Sequence, residues 1–181
     1  MRVNVSGLLK SAIGSMRSYS ISDTISISGG DSLVQGEVSL VRTDRGILVK
    51  AKLHTEVKVT CSRCLNLFSS PLTLNIVEEY FPIIDVNSGA LLSLPDEPGY
   101  FTIDEQHTLD LTEAVRQYAL LAIPMKPLCR EDCAGLCPTC GHDLNQGPCD
   151  CLSKEIDPRW SKLSRLLQTG DGLVTKQKGT K

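Results

Sequence analysis

The sequence predicts an α+β fold built on a mostly antiparallel β sheet, or a small open barrel, with one packed helix. Short stretches of alternating apolar and polar residues recur through the first half of the chain, and this period of two is typical of half-buried strands. One stretch with helical spacing follows near residues 111–123. Six of the eight cysteines then lie between Cys129 and Cys151, which predicts a C-terminal segment organised by its sulfur atoms.

Turn residues separate the predicted strands. The stretch YSISDTISIS alternates before a Gly-Gly-Asp turn. Long alternating segments flank Thr-Asp-Arg-Gly, which predicts a hairpin with Asp44 and Gly46 in its turn. The stretch PLTLNIVEEYFPI predicts a further strand, and residues 85–101 predict a loop.

The helix near residues 111–123 completes a predicted β-rich domain over residues 1–127. Asp110 with Glu113 three residues later resembles a capping box, and Pro124 ends the helix. The apolar face of this helix is predicted to pack on the sheet.

A second, short helix is predicted near the C-terminus, where Asp157 can cap it and Pro158 fits its first position. Trp160 and Leu163 begin its apolar stripe. The predicted organisation after the β-rich domain is a cysteine-rich segment over 128–152, this helix over 153–168 and a disordered tail over 169–181.

The cysteines predict a metal site. They fall in four close pairs: Cys61 with Cys64, Cys129 with Cys133, Cys137 with Cys140, and Cys149 with Cys151. The Cys-Pro-Thr-Cys-Gly stretch is a zinc-knuckle sequence, and closed four-cysteine zinc sites are structural because no ligand position is left for water. One or two Zn²⁺ ions are predicted, with all eight cysteines as candidate ligands.

The sequence alone leaves several points of the metal chemistry open. The spacing does not say which pairs share an ion, and the tight Cys149-x-Cys151 chelate need not place both sulfurs on the ion of the knuckle. Ferredoxin-type spacings that would indicate an iron–sulfur cluster are not matched. His142 lies beside the knuckle, but eight sulfurs make it unnecessary as a ligand.

Cys61 and Cys64 also raise a redox alternative, since Cys-x-x-Cys occurs in thiol–disulfide enzymes. That chemistry places the first thiol at a helix N-terminus. Here the pair follows one alternating stretch and leads into another, which favours a turn between strands whose thiols bind metal or stay simply reduced.

The charge distribution suggests a partner surface. The formal net charge is −2, but residues 152–181 carry +4 and the preceding residues −6. Arg159, Lys162 and Arg165 are therefore predicted to contact RNA or a partner protein, with a merely solvated helix face as the alternative. Aromatic residues make up 4% of the chain, so base stacking is not its main mode of contact.

The predicted compartment is the cytoplasm, without membrane contact. The N-terminal residues lack the apolar run of a secretory signal, and no stretch reaches the length of a membrane span. Thiols stay reduced in the cytoplasm, so clustered cysteines there bind metal more often than they form disulfides.

No catalytic motif accompanies the cysteines. The sequence lacks a glycine-rich phosphate loop, a Gly-x-Ser-x-Gly elbow and a His-Glu-x-x-His helix. Its carboxylates are scattered without an acid–base pairing, so a non-catalytic protein without a small-molecule substrate is expected.

Five stretches of the chain resemble the YceD family of large ribosomal RNA subunit accumulation proteins. They are LLKSAIGSMRSYSI, VTCSRCLNLF, LDLTEAVRQYALLAIPMKPLC, CREDCAGLCPTCGHDLN with CDC, and DPRWSKLSRLL. The resemblance implies a cytoplasmic bacterial factor, or a plastid relative, that supports synthesis, processing or stability of large-subunit (23S) ribosomal RNA. It implies contact with that RNA, direct or through a ribosomal protein, and carries no active site.

Two other functions stay open as alternatives to this ribosome-biogenesis role. One is a thiol–disulfide redox protein that uses Cys61 and Cys64. The other is a zinc-finger regulator, which would need a basic recognition helix after the metal site.

Overall fold

The computed structural model of the protein describes residues 1–95 and 99–151. Within them, the chain forms one sheet and two helices. The strands are β1 (Arg2–Asn4), β2 (Met16–Ile27), β3 (Gly30–Arg42), β4 (Ile47–Thr60), β5 (Leu67–Pro82), β6 (Phe101–Ile103) and β7 (Thr108–Asp110). The helices are α1 (Ser6–Leu9) and α2 (Thr112–Ala122). The predicted helix over 153–168 and the predicted tail over 169–181 lie outside the described residues.

The strands form a single sheet in the order β1-β7-β6-β5-β4-β3-β2. All neighbours are antiparallel except β5 and β6, which run parallel because the long connection after β5 brings the chain back along that strand. The predictions of a mostly antiparallel sheet with few helices are confirmed. The predicted hairpin turn lies between β3 and β4, where Thr43 donates its N–H to the Gly46 carbonyl at 3.0 Å.

The core lies on the concave side of this sheet. In β4, every second residue from Ile47 to Val59 is buried, so that one face of the strand is apolar and the other is polar. Gly36 in β3 faces the core side at a φ of +154°, and a Cβ there would collide with the Lys52 carbonyl of β4. Only glycine allows this close approach of two strands.

The sheet curls until its two edges come near each other. The Met1 ammonium, at the β1 edge, lies 3.2 Å from the Asp23 carboxylate of β2, which is the opposite edge strand. Helix α2 packs against both β5 and β2, with Val115 and Ala119 fully buried. The result is an open half-barrel whose concave side is filled by α2.

The start of α2 differs from the predicted capping box. Leu111 occupies the N-cap position, and Asp110 instead ends β7 while its carboxylate accepts the Thr112 N–H at 2.9 Å. Glu113 binds Arg116 at 2.7 Å rather than reaching back to the cap. The capping-box prediction was wrong because Asp110 is needed in the β1–β7 pairing, where it also binds Arg2.

None of the helices in the described residues is long and apolar enough to cross a membrane.

Candidate metal centre

The eight cysteines converge in two groups of four. The Sγ atoms within each group all lie within 4.8 Å of one another. The first cluster is defined as Cys61, Cys64, Cys129 and Cys133, and the second cluster as Cys137, Cys140, Cys149 and Cys151. Four convergent sulfur atoms are a complete ligand set for one tetrahedral metal ion, so each cluster could hold one.

The first cluster joins two distant parts of the chain. Cys61 and Cys64 lie in the turn between β4 and β5, while Cys129 and Cys133 follow α2. The Cys61 and Cys133 sulfurs are 3.8 Å apart, and those of Cys64 and Cys129 are 3.7 Å apart. The cluster therefore fastens the segment after α2 to one end of the sheet.

Hydrogen bonds also join the β4–β5 turn to the segment after α2, in addition to the contacts between sulfur atoms. Ser62 donates its N–H to the Pro127 carbonyl at 2.8 Å. The Arg63 side chain donates to the Cys133 carbonyl at 2.9 Å, and the Arg63 carbonyl accepts the Leu136 N–H at 3.2 Å. Phe68 and Leu128 pack against the buried cysteines. The two chain segments are thus already positioned for a shared ion.

The second cluster is local in sequence. Its four sulfurs come from fifteen consecutive residues, 137–151. Leu144 donates its N–H to the Gly135 carbonyl at 2.9 Å, which folds this segment back toward the first cluster. Gly135 has a φ of +78°, and its Cβ position lies only 3.1 Å from the Arg63 carbonyl oxygen. The two clusters are therefore adjacent and share this backbone contact.

The two Cys-x-x-Cys turns have the same backbone hydrogen bonds. In the first, the Cys61 N–H donates to the Asn66 carbonyl at 2.9 Å and the Leu65 N–H donates to the Cys61 carbonyl at 3.0 Å. In the second, the corresponding bonds run from Cys137 to the His142 carbonyl at 2.8 Å and from Gly141 to the Cys137 carbonyl at 2.9 Å. The CSRC stretch is therefore a second knuckle of the same form as CPTC.

Both knuckles need a residue in the left-handed region directly after the second cysteine. Gly141 supplies it at a φ of +73°, whereas Leu65 adopts +61°. A leucine in this conformation carries a strain of about 1–2 kcal/mol. Such strain is retained where the surrounding structure requires the geometry, which here places two sulfurs together.

Leu65→Gly should stabilise the protein, because glycine removes this strain and the Leu65 side chain is 63% exposed. Part of the gain is lost to the larger unfolded-state entropy of glycine, so a net increase of about 0.5–1 kcal/mol in the free energy of unfolding is expected. The measurement is a denaturant titration of the metal-loaded protein. The matched control is Gly141→Leu, which has no steric neighbour within 4 Å at that Cβ and should lose stability through the backbone alone. If Leu65→Gly lowered the free energy of unfolding as Gly141→Leu does, the strain argument would be contradicted.

Each cluster contains one thiol that ionises easily. The pKa of Cys61 is lowered to about 6, mainly by the backbone N–H of Cys64 and then by that of Cys129. The pKa of Cys137 is also lowered to about 6, by the backbone N–H of Cys140 and that of Thr139, whose nitrogen is 3.4 Å from the sulfur. In both knuckles the first cysteine is thus prepared as a thiolate ligand.

One further thiol in each cluster, Cys129 in the first and Cys151 in the second, resists ionisation without a cation. Burial, and then hydrogen bonding to Cys64, raise the pKa of Cys129 to about 12. Hydrogen bonding to Cys140, followed by burial, raises the pKa of Cys151 to about 12. A second negative charge beside the first is costly, and a bound dication would remove that cost.

The two clusters differ in exposure. In the first, Cys61, Cys64 and Cys133 are 0%, 4% and 2% exposed, and only Cys129 reaches solvent. In the second, only Cys137 is buried, while Cys140 is exposed and Cys149 and Cys151 are half-buried. Solvent and competing ligands therefore reach the second cluster far more readily.

Both Cys149 and Cys151 join the knuckle cysteines in one group, so the close spacing of that pair does not separate them. His142 is outside both groups and contributes its backbone carbonyl to the second knuckle. The first cluster straddles the boundary predicted at residue 127. Arg159, Lys162 and Arg165 lie outside the described residues.

Asn145 supports the clusters and was missed by the sequence reasoning. Its Nδ2 lies 3.5 Å from the Cys133 sulfur, and its Oδ1 accepts hydrogen bonds from the Ala134 N–H at 2.9 Å and from Arg130 at 2.7 Å. A residue from the stretch that supplies the second cluster, 137–151, thus donates a hydrogen bond to a sulfur of the first cluster. An asparagine near a cysteine run is too common in turns to have signalled this role.

The fold and the site define a class of protein. Its members have a curled, mostly antiparallel sheet and two four-cysteine clusters that could hold metal ions. The sequence model of one family, described as Large ribosomal RNA subunit accumulation protein YceD, matches residues 49–167. The chain belongs to the YceD family, which confirms the resemblance seen in the sequence. The match includes all eight cysteines.

Mycobacterial proteins are among the similar ones. Uncharacterized proteins of Mycobacterium tuberculosis and Mycobacterium bovis are each 28% identical over 143 residues, which cover 75% of this chain and 63% of the relative. An uncharacterized protein of Mycobacterium leprae is 38% identical over 137 residues, covering 76% of this chain and 54% of the relative. The chain therefore spans less than two thirds of the length of these relatives. No solved structure matches it.

Proposed function

We propose that the protein is a non-catalytic cytoplasmic factor for the accumulation of large-subunit (23S) ribosomal RNA, and that two structural zinc ions hold its cysteine-rich segment from Cys129 to Cys151. Membership of the YceD family, by the description of that family, carries the first part of the proposal. The two four-sulfur clusters carry the second.

Zinc fits the spacing of the sulfur atoms. Zn–S bonds of about 2.3 Å in a tetrahedron place neighbouring sulfurs about 3.8 Å apart. Two of the six Sγ–Sγ separations in the first cluster, 3.8 and 3.7 Å, match that edge, and all six are within 4.8 Å. With four sulfurs on one ion there is no open position for water or substrate, so a structural role is favoured over a catalytic one.

A thiol–disulfide activity is disfavoured by the surroundings of Cys61 and Cys64. Catalytic dithiols present an accessible thiolate at a helix N-terminus. Here both sulfurs are buried, the turn lies between two strands, and two further cysteines lie beside them. A thiol in this position serves better as a metal ligand than as a nucleophile.

Zinc also affects the electrostatics of partner binding. Each Zn²⁺ with four thiolates carries a formal charge of −2, so two such sites move the formal net charge of the chain from −2 to −6. A protein this acidic gains no RNA affinity from its total charge. Contact with RNA would have to come from a local cationic surface, or through a ribosomal protein.

The function is tested by deleting the gene and restoring it on a plasmid. Cells without the protein should accumulate less mature large-subunit RNA relative to small-subunit RNA, and the intact gene should restore the ratio. The ratio is measured by quantitative electrophoresis of total RNA together with sucrose-gradient profiles of ribosomal subunits. Normal ratios and profiles in the deletion strain, including under growth stress, would contradict the proposal.

A further inference from the structure

The outer face of β4 carries an unusual row of side chains. Positions 50, 52, 54, 56 and 58 all point away from the core and are exposed. Three of them are lysines, Lys50, Lys52 and Lys58, and the two between are His54 and Glu56. Since a strand rises about 3.3 Å per residue, the three ammonium groups are spread along roughly 26 Å of one line.

This line runs along a groove rather than over a flat sheet. A hollow of about 310 Å³ is lined by Lys50 and Lys52 together with Ser39 of β3 and Asn75 of β5. A hollow of about 760 Å³ follows, lined by His54 and Lys58 among others. Lys52, in the first hollow, and His54, in the second, are successive residues on the outer face of β4, so the two hollows follow one another along that strand.

The second hollow arises because two strand pairs diverge. The pairing of β3 with β4 begins at Val34, opposite Thr55, so residues 30–33 of β3 pair with β2 alone. Beyond Thr55, β4 pairs only with β5. A cleft opens between the two arms, with Lys58 on its β4 side.

The groove combines apolar lining, such as Leu33 and Leu67, with side chains that donate and accept hydrogen bonds. Gln35 and Thr73 flank His54 on the neighbouring strands, and the His54 ring nitrogen Nδ1 lies 3.2 Å from the Thr73 hydroxyl. Ser69 lies opposite Lys58, and Asn75 lies opposite Lys52. No Phe, Tyr or Trp side chain lines either hollow in the part of the chain that the structure describes.

The charges of the groove include acids as well as lysines. Glu37 lies directly opposite Lys52, Glu56 lies between the lysines, and Asp31 is at the far end of the cleft. Yet among residues 1–95 and 99–151, no carboxylate forms an ion pair within 4.0 Å of Lys50, Lys52 or Lys58. The ammonium groups are therefore available to an external anion.

We propose that this groove binds the sugar–phosphate backbone of a single-stranded RNA segment. The inference rests on the proposed role in ribosomal RNA accumulation and supplies a contact surface for it. Lysines at intervals along a groove suit a chain of phosphates, and hydroxyl and amide groups suit phosphate and 2′-hydroxyl oxygens. The groove has no row of Phe, Tyr or Trp rings on which successive bases could stack, so recognition runs through the backbone and is tolerant of sequence.

The test compares charge variants in binding to a fluorescein-labelled oligouridylate of fifteen nucleotides. Lys50→Glu with Lys52→Glu should weaken binding at least about tenfold at low salt, and should reduce the slope of log affinity against log salt by about 1.4 for two lost phosphate contacts. The matched control, Lys10→Glu with Lys126→Glu, makes the same charge change at exposed lysines outside the groove and should weaken binding much less.

A second pair of variants should act in the opposite direction. Glu37→Gln with Glu56→Gln removes two carboxylates from the groove and should tighten binding, whereas Glu105→Gln with Glu131→Gln should not. All variants change exposed side chains, and their circular dichroism and zinc content should match the unmodified protein. If groove and control variants weaken binding equally, the assignment of the groove is overturned.

Two further outcomes separate this inference from the proposed function. A deletion strain with low large-subunit RNA, combined with no oligouridylate binding by the purified protein, would overturn the groove and leave the function standing. Normal ribosomal RNA levels with groove-dependent binding would overturn the function alone. A polyglutamate peptide that binds as tightly as the RNA and responds equally to the groove variants would show a general anion surface and overturn the RNA assignment.

Discussion

Cys133→Ser should release one of two metal ions and destabilise the protein strongly. The Cys133 sulfur belongs to the first cluster, which joins the β4–β5 turn to the segment after α2. Its loss leaves the buried Cys61 and Cys64 sulfurs and the exposed Cys129 sulfur without a complete ligand set, next to Phe68 and Leu128. Loss of a structural metal belongs to the changes that cost more than about 4 kcal/mol, which for a chain of this size lowers Tm by about 8–16 °C.

Cys149→Ser is the matched control for this prediction. It also removes one cysteine and one metal ion, but from the second cluster, whose ligands all come from residues 137–151. The sheet has its own apolar core and does not depend on that segment. We expect Cys149→Ser to expose the amides of residues 137–151 to hydrogen exchange while those of β4 and β5 stay protected.

The measurements are metal content by mass spectrometry, thermal unfolding by circular dichroism and amide exchange. Each variant should hold about one ion, with the larger drop in Tm for Cys133→Ser. An equal drop in both variants would show that the clusters fold as one unit. A larger drop for Cys149→Ser would contradict the argument that the first cluster fastens the segment to the sheet.

The strands could be predicted from sequence because their signal is local. Alternation of buried and exposed residues in β4 is visible in the chain as a period of two, and the turn at Thr43–Gly46 has its own residue preferences. The same period also separates Lys50, Lys52 and Lys58 from the apolar residues between them. The row of lysines is therefore visible in the sequence, although the predicted partner surface was assigned to the positively charged residues near the C-terminus.

The grouping of the cysteines could not be predicted in this way. Four pairs can be joined into two groups of four in three ways, and the spacing within each pair is the same in all of them. The actual choice depends on where α2 ends relative to the β4–β5 turn, since this places Cys129 beside Cys64 although 65 residues separate them. Such a contact is a property of the tertiary fold.

The first knuckle was harder to recognise than the second for a different reason. Gly141 follows the second Cys-x-x-Cys pair and indicates a residue in the left-handed region, because glycine adopts that conformation without steric cost. Leu65 occupies the equivalent position after the first pair and gives no such signal. The hydrogen bonds of the two turns show the equivalence that the residue types conceal.

Removal of metal by a chelator should proceed in two phases, with the second cluster emptied first. A competing ligand must reach the sulfurs or the ion, and three sulfurs of the second cluster are exposed or half-buried. In the first cluster only Cys129 reaches solvent, so release there requires local opening of the junction between the β4–β5 turn and the segment after α2. We expect metal release from the first cluster to be at least about tenfold slower than release from the second, because it must wait for this local opening.

The phases can be assigned with the same two variants. The zinc-loaded protein is mixed with excess 4-(2-pyridylazo)resorcinol, and the absorbance of the zinc–dye complex is followed over time. Cys149→Ser should lack the fast phase and Cys133→Ser the slow one. Circular dichroism recorded after the fast phase should still show the sheet, because the core of the half-barrel does not include the second cluster. Release of both ions at one rate, or loss of the sheet signal during the fast phase, would mean that the Gly135–Arg63 contact couples the clusters so tightly that neither opens alone.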